Sequence, residues 1–445
     1  MSPELRTIEE VPAQGLCIGC GTCAGVCPAR AMEMHLDDDD DMPYPVVQRS
    51  ICTECGLCRV VCPGLGIDFE KLNRFVFGRQ PQDLLVGVVR KIWVGYSTDE
   101  ELRFSASSGG AVTELCAFAL TEGLIDGAIV ATASKQAPLR PVFKIATSRR
   151  ELIQASGSKY CPISQHTVLR ELAERDGHFA AVGLPCHIHG WRKAALRSDR
   201  LHDQLTYGFG LACGRVCNFF ATEYYLRGKG ISVKDVQELD YRGQGWPGKI
   251  TVTLENRSQQ VFLRRYSMRQ LYQALQHNAA FGFQHFRPWR CLTCCDRTAE
   301  LADISFSDPY LPRFLEGDTI GHTMIAARTK RGEALVEAAR AAGRLILEPV
   351  SLQDFVESHG RELEARKAVP AMFLAASLAG KALPEYHWTK DAIRSPSLTD
   401  WLSCMASVAE RWVGQKRWAW PLIMPWAFLR TILRYSGKAF RKAVT

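Results

Sequence analysis

Eight of the 17 cysteines fall into two runs of identical spacing. The first places Cys17, Cys20, Cys23 and Cys27 before Pro28; the second places Cys52, Cys55, Cys58 and Cys62 before Pro63. Three thiols at intervals of three residues wrap one tight turn. The fourth is held away by a proline, which fixes its own φ and restrains the residue before it. Such a run is the signature of [4Fe–4S] ligation, in which each of four irons takes one thiolate. Paired runs predict two clusters, with the fourth cysteine of each run crossing to the other cluster. Cys17, Cys20, Cys23 and Cys62 are expected on one, and Cys52, Cys55, Cys58 and Cys27 on the other. Gly19, Gly21, Gly25 and Gly56 let backbone N–H groups approach the sulfides. Zinc would ask for two separated knuckles, and a disulfide scaffold for a short secreted chain. The predicted chemistry is transfer of single electrons.

The chain has 445 residues, enough for about three domains. Met1–Gln14 is polar, so neither a secretory nor a transit segment is read there. With so many cysteines, a reducing, cytoplasmic setting is expected. No run reaches the roughly 20 apolar residues of a membrane-spanning helix. The net charge is +8. From Arg411 to the end there are Arg411, Lys416, Arg417, Arg430, Arg434, Lys438, Arg441 and Lys442, and no acid. The rest is near neutral and offers no basic stripe, which argues against a nucleic-acid partner.

Three regions are expected: residues 1–75 as a two-cluster ferredoxin module, 76–385 as an α/β body, and 386–445 as a basic, Trp-rich tail. The acidic stretch Asp37–Asp41 reads as a solvated loop, and Arg74–Val89 as a linker. In the body, helices are predicted over Ala111–Glu122, Gln165–Arg175 and Gly332–Ala342. Strands are predicted over Gly127–Ala131, Phe179–Leu184, Leu205–Ala212, His322–Arg328 and Arg344–Val350. Lys249–Glu255 and Gln260–Arg265 alternate with period two, as a hairpin does. This alternation predicts an α/β (α+β overall) fold with a mixed, mainly parallel sheet.

In such sheets, sites form beyond the carboxyl ends of the strands. Cys186 and Cys213 each follow a predicted strand, and Cys291 and Cys294 form a Cys-x-x-Cys pair. Four such thiols suffice for a third [4Fe–4S] cluster, although spacing alone allows Cys186 and Cys213 to be inert buried thiols. Ser107-Ser108-Gly109-Gly110 precedes a predicted helix. It reads either as an anion cradle at a helix N-terminus or as an ordinary capped turn.

These segments carry a resemblance. Ser107–Gly110, Gly157-Ser158-Lys159-Tyr160, Gly183-Leu184-Pro185-Cys186, Leu211-Ala212-Cys213-Gly214, Tyr241-Arg242-Gly243 with Gly245-Trp246-Pro247, and Cys291-x-x-Cys294-x-Asp296 with Ala302-Asp303-Ile304-Ser305 occur in that order. The chain resembles the beta-subunit family of coenzyme F420 hydrogenases and dehydrogenases. That family also includes 7-hydroxymethyl chlorophyll a reductase and a ferredoxin-dependent divinyl chlorophyllide reductase. The resemblance implies an iron–sulfur oxidoreductase containing FAD. It implies a third cluster at Cys186, Cys213, Cys291 and Cys294, and a flavin or substrate site at Ser107, Ser108, Gly109 and Gly110 with Arg103, Lys159 and Tyr160. The chain departs from the family pattern at Ser307-Asp308, where Gly usually precedes the Asp, and Cys217 and Cys295 are extra. Cys116, Cys161 and Cys404 read as packing residues.

Clusters carry single electrons and flavin one or two, so three roles are open. A reductase would pass electrons from ferredoxin through the clusters and FAD to an organic acceptor or a deazaflavin. A relay subunit would dock on a partner oxidoreductase. A redox sensor would not turn over. His187 and His189 are too ordinary in a turn to be assigned as acids. The tail segment Trp418–Leu429, apolar and flanked by basic residues, fits peripheral docking on the inner face of a membrane. It fits equally a helix packed on the body or a partner.

Overall fold

The computed structural model describes residues 7–37, 41–134, 136–255, 258–263, 275–316, 318–367, 369–387 and 397–430. Part of the acidic stretch, the end of the predicted hairpin (Arg264, Arg265) and the basic residues Arg434, Lys438, Arg441 and Lys442 lie outside these.

Each cysteine run closes around a single helical turn, Thr22–Gly25 and Leu57–Val60. Gly21 and Gly56 precede these turns at φ 71° and 72°, backbone that glycine adopts without strain. An antiparallel hairpin, Met32–Leu36 with Pro43–Val47, links the runs. The predicted linker begins instead as a helix, α1 (Phe69–Phe77). Asp68 caps it by accepting from the Lys71 N–H at 2.9 Å, and Gly78 ends it in the left-handed region. Its apolar face, Phe69 and Leu72, is buried in the same core cluster as Leu169, Ile188 and Trp191 of the body. The apolar spacing thus makes a docking helix where composition suggested a spacer.

The body is built on eight strands: β1 (Lys91–Ser97), β2 (Gly127–Thr132), β3 (Val142–Ala146), β4 (Phe179–Gly183), β5 (Leu205–Leu211), β6 (Ile304–Ser307), β7 (Thr323–Ala327) and β8 (Leu345–Pro349). Their spatial order is β8-β1-β7-β6-β5-β4-β2-β3. The sheet is mixed, as expected, but not mainly parallel: three of its seven pairs are parallel, all at the centre, β6 to β5, β5 to β4 and β4 to β2. Both flanks pair antiparallel. The β2–β3 connection is too short for a helical crossover and returns as a hairpin. Helices α2 (Ala111–Thr121), α3 (His166–Glu174), α4 (Pro185–Ala195) and α5 (Lys330–Ala341) contribute to the buried clusters on either side. The central strands are buried accordingly, with Ala180, Ala181, Phe209 and Ile304 all at 1% exposure or less.

The Ala302-Asp303-Ile304-Ser305 motif is an anchor for this sheet. The fully buried Asp303 carboxylate accepts from the Gly208 N–H at 2.7 Å, Arg192 at 2.8 Å, Arg331 at 2.7 Å and Thr329 at 2.8 Å. It ties β6 to β5, α4 and the start of α5.

The N-terminal module is seated on the body by close backbone approaches. The Gln165 N–H donates to the Cys20 carbonyl at 2.9 Å, and its side chain to Thr22 Oγ1 at 2.6 Å. A Cβ on Gly190 would lie 2.3 Å from that same Oγ1. Gly190→Ala is therefore expected to cost about 1–3 kcal/mol through overpacking, read as a lower denaturant midpoint at unchanged slope.

The tail docks on the body through one face. After α6 (Leu398–Gln415), Trp420, Ile423 and Ala427 bury against Phe220, Phe283 and Phe286. Trp420 Nε1 donates to the Gly414 carbonyl at 3.0 Å, and Arg417 pairs with Glu223 at 2.8 Å. The packed reading holds for this face. The opposite face leaves Leu402, Trp412, Trp418 and Leu422 more than half exposed.

Candidate functional site

The two cysteine runs exchange their last members. The buried Cys62 thiol lies close enough to Cys17, Cys20 and Cys23 to act on each electrostatically. Burial, then Cys62, pushes the Cys20 thiol up to about 11. Cys27 instead lines a cavity of about 330 Å³ with Cys52, Cys55 and Cys58. Cys62 thus lies among the thiols of the first run and Cys27 among those of the second. The first group is largely buried, whereas in the second Cys55 is exposed.

A third group forms where the parallel strands end. Cys186 is the second residue of α4, directly after β4, and Cys213 follows β5. With Cys291, Cys294 and Cys295 they line one cavity at the carboxyl edge of the sheet. Ile18 and Pro63 of the N-terminal module line the same cavity, so the first group lies next to the third. Burial, then neighbouring thiols, pushes Cys291 up to about 12. Cys186, Cys213, Cys291 and Cys294 bear on one another, whereas Cys295 sits among Cys294, Lys367, Asp296 and Glu300. That geometry favours Cys294 over Cys295 as the fourth member. Cys217 packs with Phe220 and Ala279. Among the described residues, no three His, Cys, Asp or Glu side chains converge on a single ion. A cubane asks for something else, four thiols each meeting its own iron across a cavity, and the donor set here fits that.

Arginines that the motif spacing did not single out surround this cavity. Arg290 donates to the carbonyls of Gly64 (2.7 Å) and Pro63 (3.1 Å), clamping the pair-bearing segment onto the Cys62 turn. Arg366 donates to the carbonyls of Cys213 (2.9 Å) and Cys294 (3.4 Å), and Arg215 to that of Cys291 (3.0 Å). Burial, followed by repulsion from Arg366 and Arg287, brings Arg215 down to about 9. Lys193 completes the seam, donating to the carbonyls of Cys62 (2.7 Å) and Gly66 (3.0 Å). Arg215 and Arg290 stand beside cysteines in the sequence and were readable there; Arg366 and Lys193 had no local signal. These cations would offset the negative charge of a thiolate-bound cluster held there, one of the levers that set a cluster's potential.

The two histidines after β4 hold structure. His187 Nδ1 accepts from the Leu184 N–H at 3.3 Å and Nε2 donates to the Ile163 carbonyl at 3.0 Å, with burial drawing its pKa down to about 4. His189 meets the buried Asp296 carboxylate at 2.8 Å.

The segments around Ser107 also assemble at this edge, with their donors directed into the protein. Ser158 donates to Ser107 Oγ at 2.8 Å, Ser107 to the Arg242 carbonyl at 3.3 Å, and Ser108 to the His322 carbonyl. The Gly109 N–H donates to Thr323 Oγ1 at 2.9 Å, and a Cβ there would lie 2.6 Å from the Gly95 carbonyl oxygen. Gly110, at φ 77°, begins α2. Lys159 caps the helix Arg149–Ala155, donating to Ala155, Ser156 and Gly157 carbonyls at 2.6–3.1 Å. Burial lowers its pKa to about 8. Arg103 stacks 3.5 Å over the Tyr96 ring, and Tyr160 packs on Tyr241 and Phe281. Arg242 pairs with Asp308 at 2.7 Å, which gives the acid of the Ser307-Asp308 departure a partner.

The profile described as coenzyme F420 hydrogenase/dehydrogenase, beta subunit N-term, matches residues 92–170, and its C-terminus counterpart matches 176–353. Together they take in both the third cysteine group and the Ser107 turn. The chain belongs to the coenzyme F420 hydrogenase/dehydrogenase beta-subunit family. A 4Fe–4S dicluster domain matches residues 16–64. The coenzyme F420 hydrogenase subunit beta of Methanothermobacter thermautotrophicus is 26% identical over 274 residues, 60% of this chain and 87% of that protein. A coenzyme F420-dependent sulfite reductase of Methanocaldococcus jannaschii is 24% identical over 358 residues, covering 77% of this chain and 49% of the reductase. A chain of the F420-reducing [NiFe] hydrogenase complex from Methanosarcina barkeri shares the fold, with a TM-score of 0.51 at 22% identity, covering 68% of this chain and 97% of that one. The chain is thus an iron–sulfur member of an oxidoreductase family.

Proposed function

We propose that this family member is an iron–sulfur flavoprotein oxidoreductase that leads electrons from its exposed cysteine group to the carboxyl edge of the sheet. The observation that carries the reading is the succession of three groups. Cys27, Cys52, Cys55 and Cys58 open to solvent, Cys17, Cys20, Cys23 and Cys62 are largely buried behind them, and Cys186, Cys213, Cys291 and Cys294 adjoin these across Pro63. Bound clusters would supply single-electron transfer and FAD the exchange of one electron or two, as a hydride to an organic acceptor or a deazaflavin. The residues of the chain do the rest. Arg290 and Lys193 hold the module against the body, while Arg366 and Arg215 place positive charge around the third group. His187, kept neutral by burial, fixes the Leu184 turn.

A relay role within a larger complex is the second reading, favoured by relatives that are named as hydrogenase subunits. Anaerobic purification with iron, sulfide and flavin quantification tests both. About twelve irons and one FAD per chain, with turnover on an artificial donor, is the expected result. Cluster-loaded protein without flavin would overturn the flavoprotein reading, and turnover only with a copurified subunit would favour the relay.

The same reading places the chain in the cytoplasm, with the open face of the tail on an anionic membrane surface. No helix among the described residues is long and apolar enough to cross a membrane. Trp412 and Trp418 are 52% and 69% exposed, and basic residues flank them. Replacing both by Ser should weaken cosedimentation with phosphatidylglycerol vesicles by about tenfold or more; unchanged binding would remove the membrane placement.

A further inference from the structure

The opposite edge of the sheet, where the parallel strands begin, carries a cleft of about 380 Å³. It lies between the end of α1, the approach to β1 and the first turn of α5. Arg79, Arg90, Arg192, Arg328, Lys330 and Arg331 line it, and no carboxylate does.

Part of this charge is structural. Asp303 takes Arg192 and Arg331, and Glu333 takes Arg90 at 2.6 Å. Arg328 is spent on the carbonyls of Val86 and Val88, at 2.8 and 2.9 Å, and on the hydroxyls of Ser305 and Thr298. Arg79 and Lys330 have no such account. Both are exposed and neither has an ion-pair partner among the described residues. Glu300 and Asp296 also bear on Arg328, so four of the six cations have carboxylates behind them, and Arg79 and Lys330 are left over. The amino end of α5 adds its own positive potential. Fold stability alone gives no reason to line the cleft with these two further cations, whereas a multiply charged anion does. The remaining wall carries aromatic side chains: Phe75 and His202 lie 5.1 Å apart between ring centroids, with their planes inclined by 51°. The volume falls within the usual range of small-molecule sites.

We propose that this cleft binds a small organic phosphate carrying an aromatic ring, of nucleotide size. Lys330 and Arg79 would meet the phosphates, and Phe75 with His202 the ring. The site lies at the far edge of the sheet from Cys186 and Cys213, so it is separate from the redox site and independent of the function proposed there.

Isothermal titration of the full chain, purified without oxygen, with ADP, UDP and pyrophosphate tests this. At least one nucleotide is expected to bind about tenfold or more tightly than pyrophosphate, the share that ring stacking contributes. Arg79→Ser with Lys330→Ser should weaken that binding about tenfold and leave the melting temperature in place, since both side chains are exposed and have no ion-pair partner among the described residues. Three outcomes would overturn the proposal: no saturable heat with either nucleotide, equal affinity for nucleotide and pyrophosphate, or nucleotide binding that survives the double substitution.

Discussion

Cys186→Ser is expected to lower the iron content of anaerobically purified protein from about twelve to about eight atoms per chain. Cys186 is reached from β4 with no intervening loop, and its thiol has Cys213, Cys291 and Cys294 as neighbours. A serine keeps the volume and removes the thiolate. The eight cysteines of the N-terminal module are untouched and should retain their share. Cys295→Ser is the matched control. That side chain is buried beside Cys294, Lys367 and Asp296, and Cys294 is the one thiol of the group that bears on it, so iron should stay near twelve. The reverse pattern, iron lost with Cys295 and kept with Cys186, would reassign the third group.

Asp303→Asn should destabilise the fold by about 3–5 kcal/mol, because it leaves two arginines facing a neutral amide in the interior. Arg192 is 6% exposed and has little access to water. Burial alone would raise the Asp303 pKa, but Arg192 and Arg331 outweigh it and bring it down to about 2. A carboxyl with a depressed folded-state pKa contributes stability above its unfolded value of ~3.9 and loses it as pH falls toward the folded value. The cost of the substitution should therefore be full at neutral pH and shrink between about pH 4 and pH 2. Asp354→Asn provides the contrast: its pair with Arg313 at 2.8 Å is on the surface, and the change should stay within about 1 kcal/mol. Denaturant titration of both variants across pH separates the two cases.

Much of the cysteine placement was legible in the chain because its signals are local. Cysteine spacing predicts that Cys62 joins the first run and Cys27 the second, where the structure puts them, and the predicted bounds of α2 and α5 fall within two residues of those observed. Elements held by distant partners were not legible. β1 gains its place from β7 and β8, more than two hundred residues along the chain, and β6 is only four residues long. The helix over Phe69–Phe77 was hidden because its meaning lies in the apolar surface it meets, not in its composition. The Ser107–Gly110 turn reads two ways in the sequence, as a ligand cradle or a capped turn. The contacts that hold it came from outside that window: Gly109 lies against the Gly95 carbonyl, and the serines donate to the Arg242 and His322 carbonyls. Arg366 reaches the third cysteine group from more than seventy residues beyond Cys294, a relation that no window on the sequence contains.

The exchange of Cys27 and Cys62 also bears on how the protein fails. On the proposed ligand set, each N-terminal run owes one anchor to the other. Oxygen reaching the exposed Cys55 would first dismantle the outer centre and free Cys27, whose segment leads back to Cys23. Damage at the surface would then loosen the inner centre without ever touching it, so that inactivation in air should run as a single all-or-none decay, not as two independent losses.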